Sequence, residues 1–188
     1  MLLPQQQEDV LKAERRFFVQ EPTAEDPRKG VLFTNGTGTG KTFTGLGIIK
    51  RFEMMGKNRV LIVVPNQQKM ADWKSEGERV MVRVRPLKDT QDVGEDVVVT
   101  TYANMRENWK LQAEPWDLVV YDESHYLGSN AQGEQTANIA AHEMVTNKPG
   151  WRQMKKWIMA EIGPPPPWED KTATARYENE AEQAWKRI

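Results

Sequence analysis

Residues 34–42 read Thr-Asn-Gly-Thr-Gly-Thr-Gly-Lys-Thr, a glycine-rich run closing on Gly40, Lys41 and Thr42. A turn of this kind, feeding the first residues of a helix, gathers backbone N–H groups and the positive end of the helix dipole around one point. That point suits an anion, and a polyphosphate in particular. Gly36, Thr37, Gly38, Thr39 and Gly40 would form the cradle, the glycines allowing backbone to approach phosphate. Lys41 would reach the β- and γ-phosphates, and the Thr42 hydroxyl would ligate Mg²⁺. The strict pattern asks for glycine where Asn35 stands. Asn is the non-glycine residue that best tolerates left-handed backbone, so the loop stays feasible.

A second constellation is Trp116-Asp-Leu-Val-Val-Tyr-Asp-Glu-Ser-His125, which puts two carboxylates at the end of an apolar run. Hydrolysis of a nucleoside triphosphate needs one acid to hold Mg²⁺ and another to position and polarise the attacking water. Asp122 suits the metal, directly or through a water, and Glu123 suits the attacking water. Taken alone, an Asp-Glu pair after a strand is a common surface turn. The upstream loop is what gives it chemical meaning. His142 reads as a surface residue of a polar tail, and two isolated histidines build no zinc site.

These groups need elements to hold them. Gly30-Val-Leu-Phe-Thr34 predicts a buried strand feeding the loop, and the spacing of Phe43, Leu46, Ile49 and Phe52 predicts a helix over 41–55. The continuous run Val60-Leu-Ile-Val-Val64 predicts a strand covered on both faces. A helix over 66–78 and strands over 80–84, 96–100 and 118–121 follow, the first of these strands stopped by Pro86. Strands alternating with helices imply an α/β fold with a parallel, doubly covered sheet. Upstream, a helix over 5–18 follows Pro4, and 21–29 reads as a charged loop. Beyond Tyr126 the chain turns polar, with helices expected over 136–145, 151–162 and 172–188. Pro164 to Pro167 form a stiff spacer that no helix can cross. The organisation expected is a lobe over 1–127 and a polar helical extension over 128–188.

Composition narrows the class. The 188 residues suffice for one α/β domain, and 28% charged against 38% hydrophobic residues indicates a globular chain. Net charge is -1, so any nucleic-acid binding must come from a local patch. The absence of cysteine removes disulfides and thiolate metal sites and fits a reducing compartment. No run approaches the ~20 apolar residues of a membrane span. A cytoplasmic protein with no membrane partner is therefore expected.

In the order and spacing of its motifs, the chain over residues 1–127 resembles the N-terminal RecA-like lobe of superfamily 2 helicases, of the DEAD/DEAH-box and Swi/Snf-like kind. Thr37 to Thr42 resembles motif I, Asp122-Glu-Ser-His125 motif II, and Val60 to Pro65 followed by Trp73 motif Ia. Val97 to Tyr102 resembles the next nucleic-acid-contacting motif, Ib, and Pro4-Gln-Gln6 the N-terminal glutamine motif. The resemblance implies a three-layer P-loop NTPase that uses ATP and Mg²⁺. It implies that Gln6 reads the adenine edge and that His125 relays between the nucleotide and nucleic-acid sites. Asn66, Gln68, Thr100, Thr101 and Tyr102 match positions that touch the nucleic-acid backbone, DNA being favoured over RNA. The stretches 32–51 and 119–138 also resemble strawberry-notch-like modules of phage and plasmid proteins, which implies a bacterial host cytoplasm.

The chain departs from the pattern at motif III, usually Ser/Thr-Ala-Thr-Pro after a strand. Thr172-Ala-Thr-Ala175 looks similar but reads as the start of the last helix. In the family that strand lies between the strands carrying motifs I and II, so its absence leaves an unfilled position in an incomplete sheet. Residues 157–162 are the alternative source of that strand. The second lobe and its arginine finger are not in this sequence, which predicts a truncated or split chain that is weakly active alone and partnered by a second RecA-like lobe in cis or trans. The leading function is thus an ATP hydrolase driving a DNA helicase or translocase. The alternatives are a non-catalytic docking module derived from such a lobe, and a stand-alone P-loop kinase.

Overall fold

The computed structural model describes residues 2–21, 23–25, 30–34, 40–87, 96–128, 137–147, 159–167 and 170–187. Helix α1 (Pro4–Glu14) carries proline in its first turn, where a missing N–H removes no helical bond, and runs into a π-helical turn, Arg15–Val19. Then come α2 (Lys41–Met54), β1 (Val60–Val64), α3 (Gln67–Arg79), β2 (Val84–Pro86) and β3 (Val97–Thr101). Short helices α4 (Tyr102–Glu107) and α5 (Trp109–Ala113) lead to β4 (Leu118–Tyr121) and a 3-10 turn, Ser124–Leu127. Helices α6 (Ala137–Asn147) and α7 (Lys171–Arg187) complete the described elements.

The four strands form one sheet in the order β2-β3-β1-β4, and every adjacent pair is parallel. This is an α/β fold with the sheet plan of a RecA-like P-loop NTPase core. In β1 every residue is buried, which explains its unbroken apolar run. Val60, Ile62 and Val64 pack with Leu46 and Ile49 of α2 and with Met70 and Trp73 of α3. Val10 and Ala13 of α1 cover Ile48 and Phe52 on another side of α2, with Phe17 and Phe18 packed against them. A side chain at Gly47 would meet Val10 at 2.8 Å, so this glycine sets the approach of α1 to α2.

Two compact units divide the chain. The first comprises Met1–Leu87, Gly94–Thr101 and Asp117–Glu123, and contains the whole sheet with α1 to α3. The second comprises Lys88–Val93, Tyr102–Trp116 and Ser124–Ile188, and contains α4 to α7.

Three sequence expectations are corrected. Segment 30–34 is not a strand: Leu32 is 72% exposed, while Val31 and Phe33 pack against the α1–α2 cluster. Segment 30–34 pairs with no strand among the described residues and buries only alternate side chains. The strand expected over 80–84 begins instead at Val84 and includes Pro86. Helix α3 ends in a capping turn that uses residues 80–82, and β2 is an edge strand, where proline is tolerated. Finally, 159–162 are helical and do not supply the motif III strand. No helix among the described residues is long and apolar enough to cross a membrane.

Candidate nucleotide site

In a parallel sheet the C-terminal ends of all strands lie along one edge, where ligands of α/β proteins bind. The register brings the relevant ends together in the first unit. Val63 pairs with Tyr121, and Val64 with Thr101. Asp122 continues this ladder by donating its N–H to the Val63 carbonyl at 2.9 Å. Its carboxylate is held as well: the buried Trp73 donates its indole N–H to Asp122 Oδ2 at 3.0 Å. The next residue, Glu123, is exposed and has a φ of 56°, so the chain turns sharply just past the strand.

The start of α2 is built by a different device. Gly40 adopts left-handed backbone, φ 74°, and Lys41 is the first helical residue. Lys41 is exposed and Thr42 half-buried. Gln6 is buried beside this turn, where its Oε1 accepts the Leu3 N–H at 2.9 Å and its Nε2 donates to the Gly40 carbonyl at 3.4 Å. The backbone angle favours glycine there, and a Cβ at Gly40 would have to displace the Gln6 amide. Asn35, Gly36, Thr37, Gly38 and Thr39 lie outside the described residues.

Trp73 ties the two halves of the site together. While its N–H engages Asp122, the far edge of its ring lies 2.7 Å from where a Cβ of Gly45 would stand. Gly45 is on α2, about one turn beyond Lys41. One indole thus spans from the helix that starts at Lys41 to the acid at the end of β4. The sequence placed Trp73 within the motif Ia resemblance and gave Gly45 no role. A glycine inside a helix, which weakens it by about 1 kcal/mol relative to alanine, was the available sign of a close approach.

The donor set fits a nucleotide-bound Mg²⁺. Thr42 and Asp122 offer hard oxygen ligands, which that ion prefers. Among the described residues no cluster of three or more His, Cys, Asp or Glu could hold a metal unaided. Mg²⁺ on a nucleotide asks for one or two protein groups, the remaining positions going to phosphate and water.

The other expected contacts are spread over both units. Asn66 is exposed and caps α3, its side-chain oxygen accepting the Lys69 N–H at 3.0 Å. Gln68 is exposed and donates to Asp72 at 3.1 Å. Thr100 is fully buried and donates its hydroxyl to the Leu87 carbonyl at 3.1 Å, whereas Thr101 is half-buried. In the second unit Tyr102 is buried and stacks on Tyr126, with ring centroids 5.3 Å apart. His125 is exposed, and its ring lies 4.7 Å from that of Tyr126. His142 is half-buried rather than on the surface, and burial lowers its pKa below the usual 6.5, with Glu143 pulling the other way.

A sheet of parallel strands packed with helices, with an acid pair leaving the end of β4, follows the plan of the RecA-like P-loop NTPase class. Residues 1–156 match the family model described as the type III restriction enzyme, res subunit, and the chain belongs to this family. It is accordingly a superfamily 2 helicase-like ATP-binding module. No curated protein matches the chain.

Proposed function

We propose that this chain is the ATP-binding lobe of an ATP-dependent DNA helicase or translocase, with residues 1–127 as the lobe and 128–188 as its polar extension. The observation that carries the proposal is the Trp73 bridge, because it joins the helix headed by Lys41 to the carboxylate of Asp122. In this reading Lys41 neutralises phosphate charge, and Gly36 to Gly40 are the residues assigned to the phosphates. Thr42 and Asp122 hold Mg²⁺, which screens the negative charge of the triphosphate when bound. Glu123 orients the attacking water, and its exposure past the end of β4 leaves it accessible to solvent.

Gln6 acts first as a strut under Gly40: its Oε1 accepts the Leu3 N–H at the head of α1 while its Nε2 donates to the Gly40 carbonyl. An amide, with donor and acceptor side by side, is the kind of group suited to an adenine edge. His125, beside Tyr126, is the relay toward nucleic acid. DNA contacts fall to Asn66, Gln68 and Thr101, with Thr100 and Tyr102 shaping the backbone from buried positions. Such contacts position a strand without reading its sequence. A second RecA-like lobe is the expected partner, supplying charge to the transition state. The likeness of 32–51 and 119–138 to strawberry-notch-like phage and plasmid modules supports a DNA substrate and a bacterial cytoplasm.

Phosphate release from Mg-ATP, measured with and without DNA, tests the proposal. DNA should stimulate it, and Lys41→Ala or Glu123→Gln should each lower it by roughly 100-fold or more. Unaltered release in both variants would contradict the enzyme reading. Phosphoryl transfer to a small molecule, indifferent to DNA, would replace it with a kinase.

A further inference from the structure

We infer that Trp73 is a positioning residue for the metal-holding acid, fixing the Asp122 carboxylate relative to the helix that starts at Lys41; this rests on the nucleotide reading above. Trp73 is 3% exposed, yet its one polar atom is spent on Asp122 Oδ2 rather than on a nearby backbone carbonyl. Indole N–H only donates, so it can bond that oxygen only as an acceptor. Such a bond restricts carboxylate rotation and presents the ligand in one orientation. The ring is confined from the opposite side. With no Cβ at Gly45, α2 comes close enough to press on the edge of the ring, and a methyl group there would meet it at 2.7 Å. Met70 packs in the same cluster from the preceding turn of α3. The indole therefore works as a gauge: a shift of α2 displaces the ring, and the ring displaces Asp122. Phosphate binding at the head of α2 and metal binding at the end of β4 are thereby coupled through one side chain.

The test uses the full chain and a fluorescent, non-hydrolysable ATP analogue followed by anisotropy over a range of Mg²⁺ concentrations. For Trp73→Phe, which keeps an aromatic ring and removes the donor, half-saturating Mg²⁺ should rise roughly tenfold, as when a metal ligand loses the group that orients it. Affinity for the analogue in EDTA should match that of the wild type, which a general loss of structure would not allow. Gly45→Ala should move the Mg²⁺ dependence the same way with the indole N–H intact. In an Asp122→Asn background, Trp73→Phe should add nothing further.

Equal Mg²⁺ dependence in wild type and Trp73→Phe overturns the inference and leaves the nucleotide reading standing. Failure of the wild type to bind the analogue overturns both. If Trp73→Phe does not fold, the wild-type indole N–H resonance, assigned through its own ring protons and their contacts with Gly45, replaces it. That resonance should shift when Mg²⁺ is added to the nucleotide-bound protein, and a resonance that stays in place overturns the inference.

Discussion

Glu123 holds left-handed backbone at φ 56°, which costs a residue of its kind roughly 1–2 kcal/mol. Asp122 is still tied to the ladder through Val63, so the turn falls wholly on the residue after it. Strain of this sort persists where surrounding structure enforces it, and the inference runs from the observed angle to a functional turn. Asn adopts the same conformation more readily. Glu123→Asn should therefore raise the unfolding free energy by up to about 1 kcal/mol in urea denaturation, while abolishing phosphate release. A variant both less stable and fully active would contradict the role given to this side chain. At the level of single residues the sequence suggests chemistry through residue type, as at Lys41, Thr42 and Asp122, whose roles are proposals. The bond made by Trp73 was not legible, because the partner of that indole lies 49 positions away and only the folded sheet brings the two together.

Helix α3 shows how an element's end can be misread. Val82 donates its N–H to the Gly77 carbonyl at 2.9 Å, and Met81 donates to the Glu78 carbonyl at 3.4 Å. This is the paired bonding that closes a helix around one left-handed residue. That residue is Met81, with φ 58° and 82% of its surface exposed. The run Val80 to Val84 looks like a strand because it alternates apolar residues, yet its first half belongs to the cap. Met81→Gly should stabilise the protein by about 1 kcal/mol, read as a higher midpoint in urea with unchanged slope. A lower midpoint would show that the Met81 side chain matters to packing in a way its exposure denies. The segment 30–34 misled for a related reason: its apolar pattern was legible, but a strand also needs a neighbour to bond, and pattern carries no information about neighbours. The short helices α4 and α5 escaped notice because five or six residues are too few to display a helical period.

For the whole molecule, alternation of apolar runs with helical spacing was enough to predict a parallel sheet, and the strand boundaries of β1 and β4 agree with the residues first assigned to them. The division into two units was less legible, since the second unit draws on three separated stretches of chain. A net charge of -1 gives no long-range attraction to DNA, so binding has to follow from local hydroxyls, amides and a few basic groups. Whether a triphosphate binds at the head of α2 is read by isothermal titration of Mg-ATP into the wild type and into Lys41→Ala. Binding should be saturable at one site per chain in the wild type and lost in the variant. Equal binding by both proteins, or heat of dilution alone in both, would contradict the nucleotide reading.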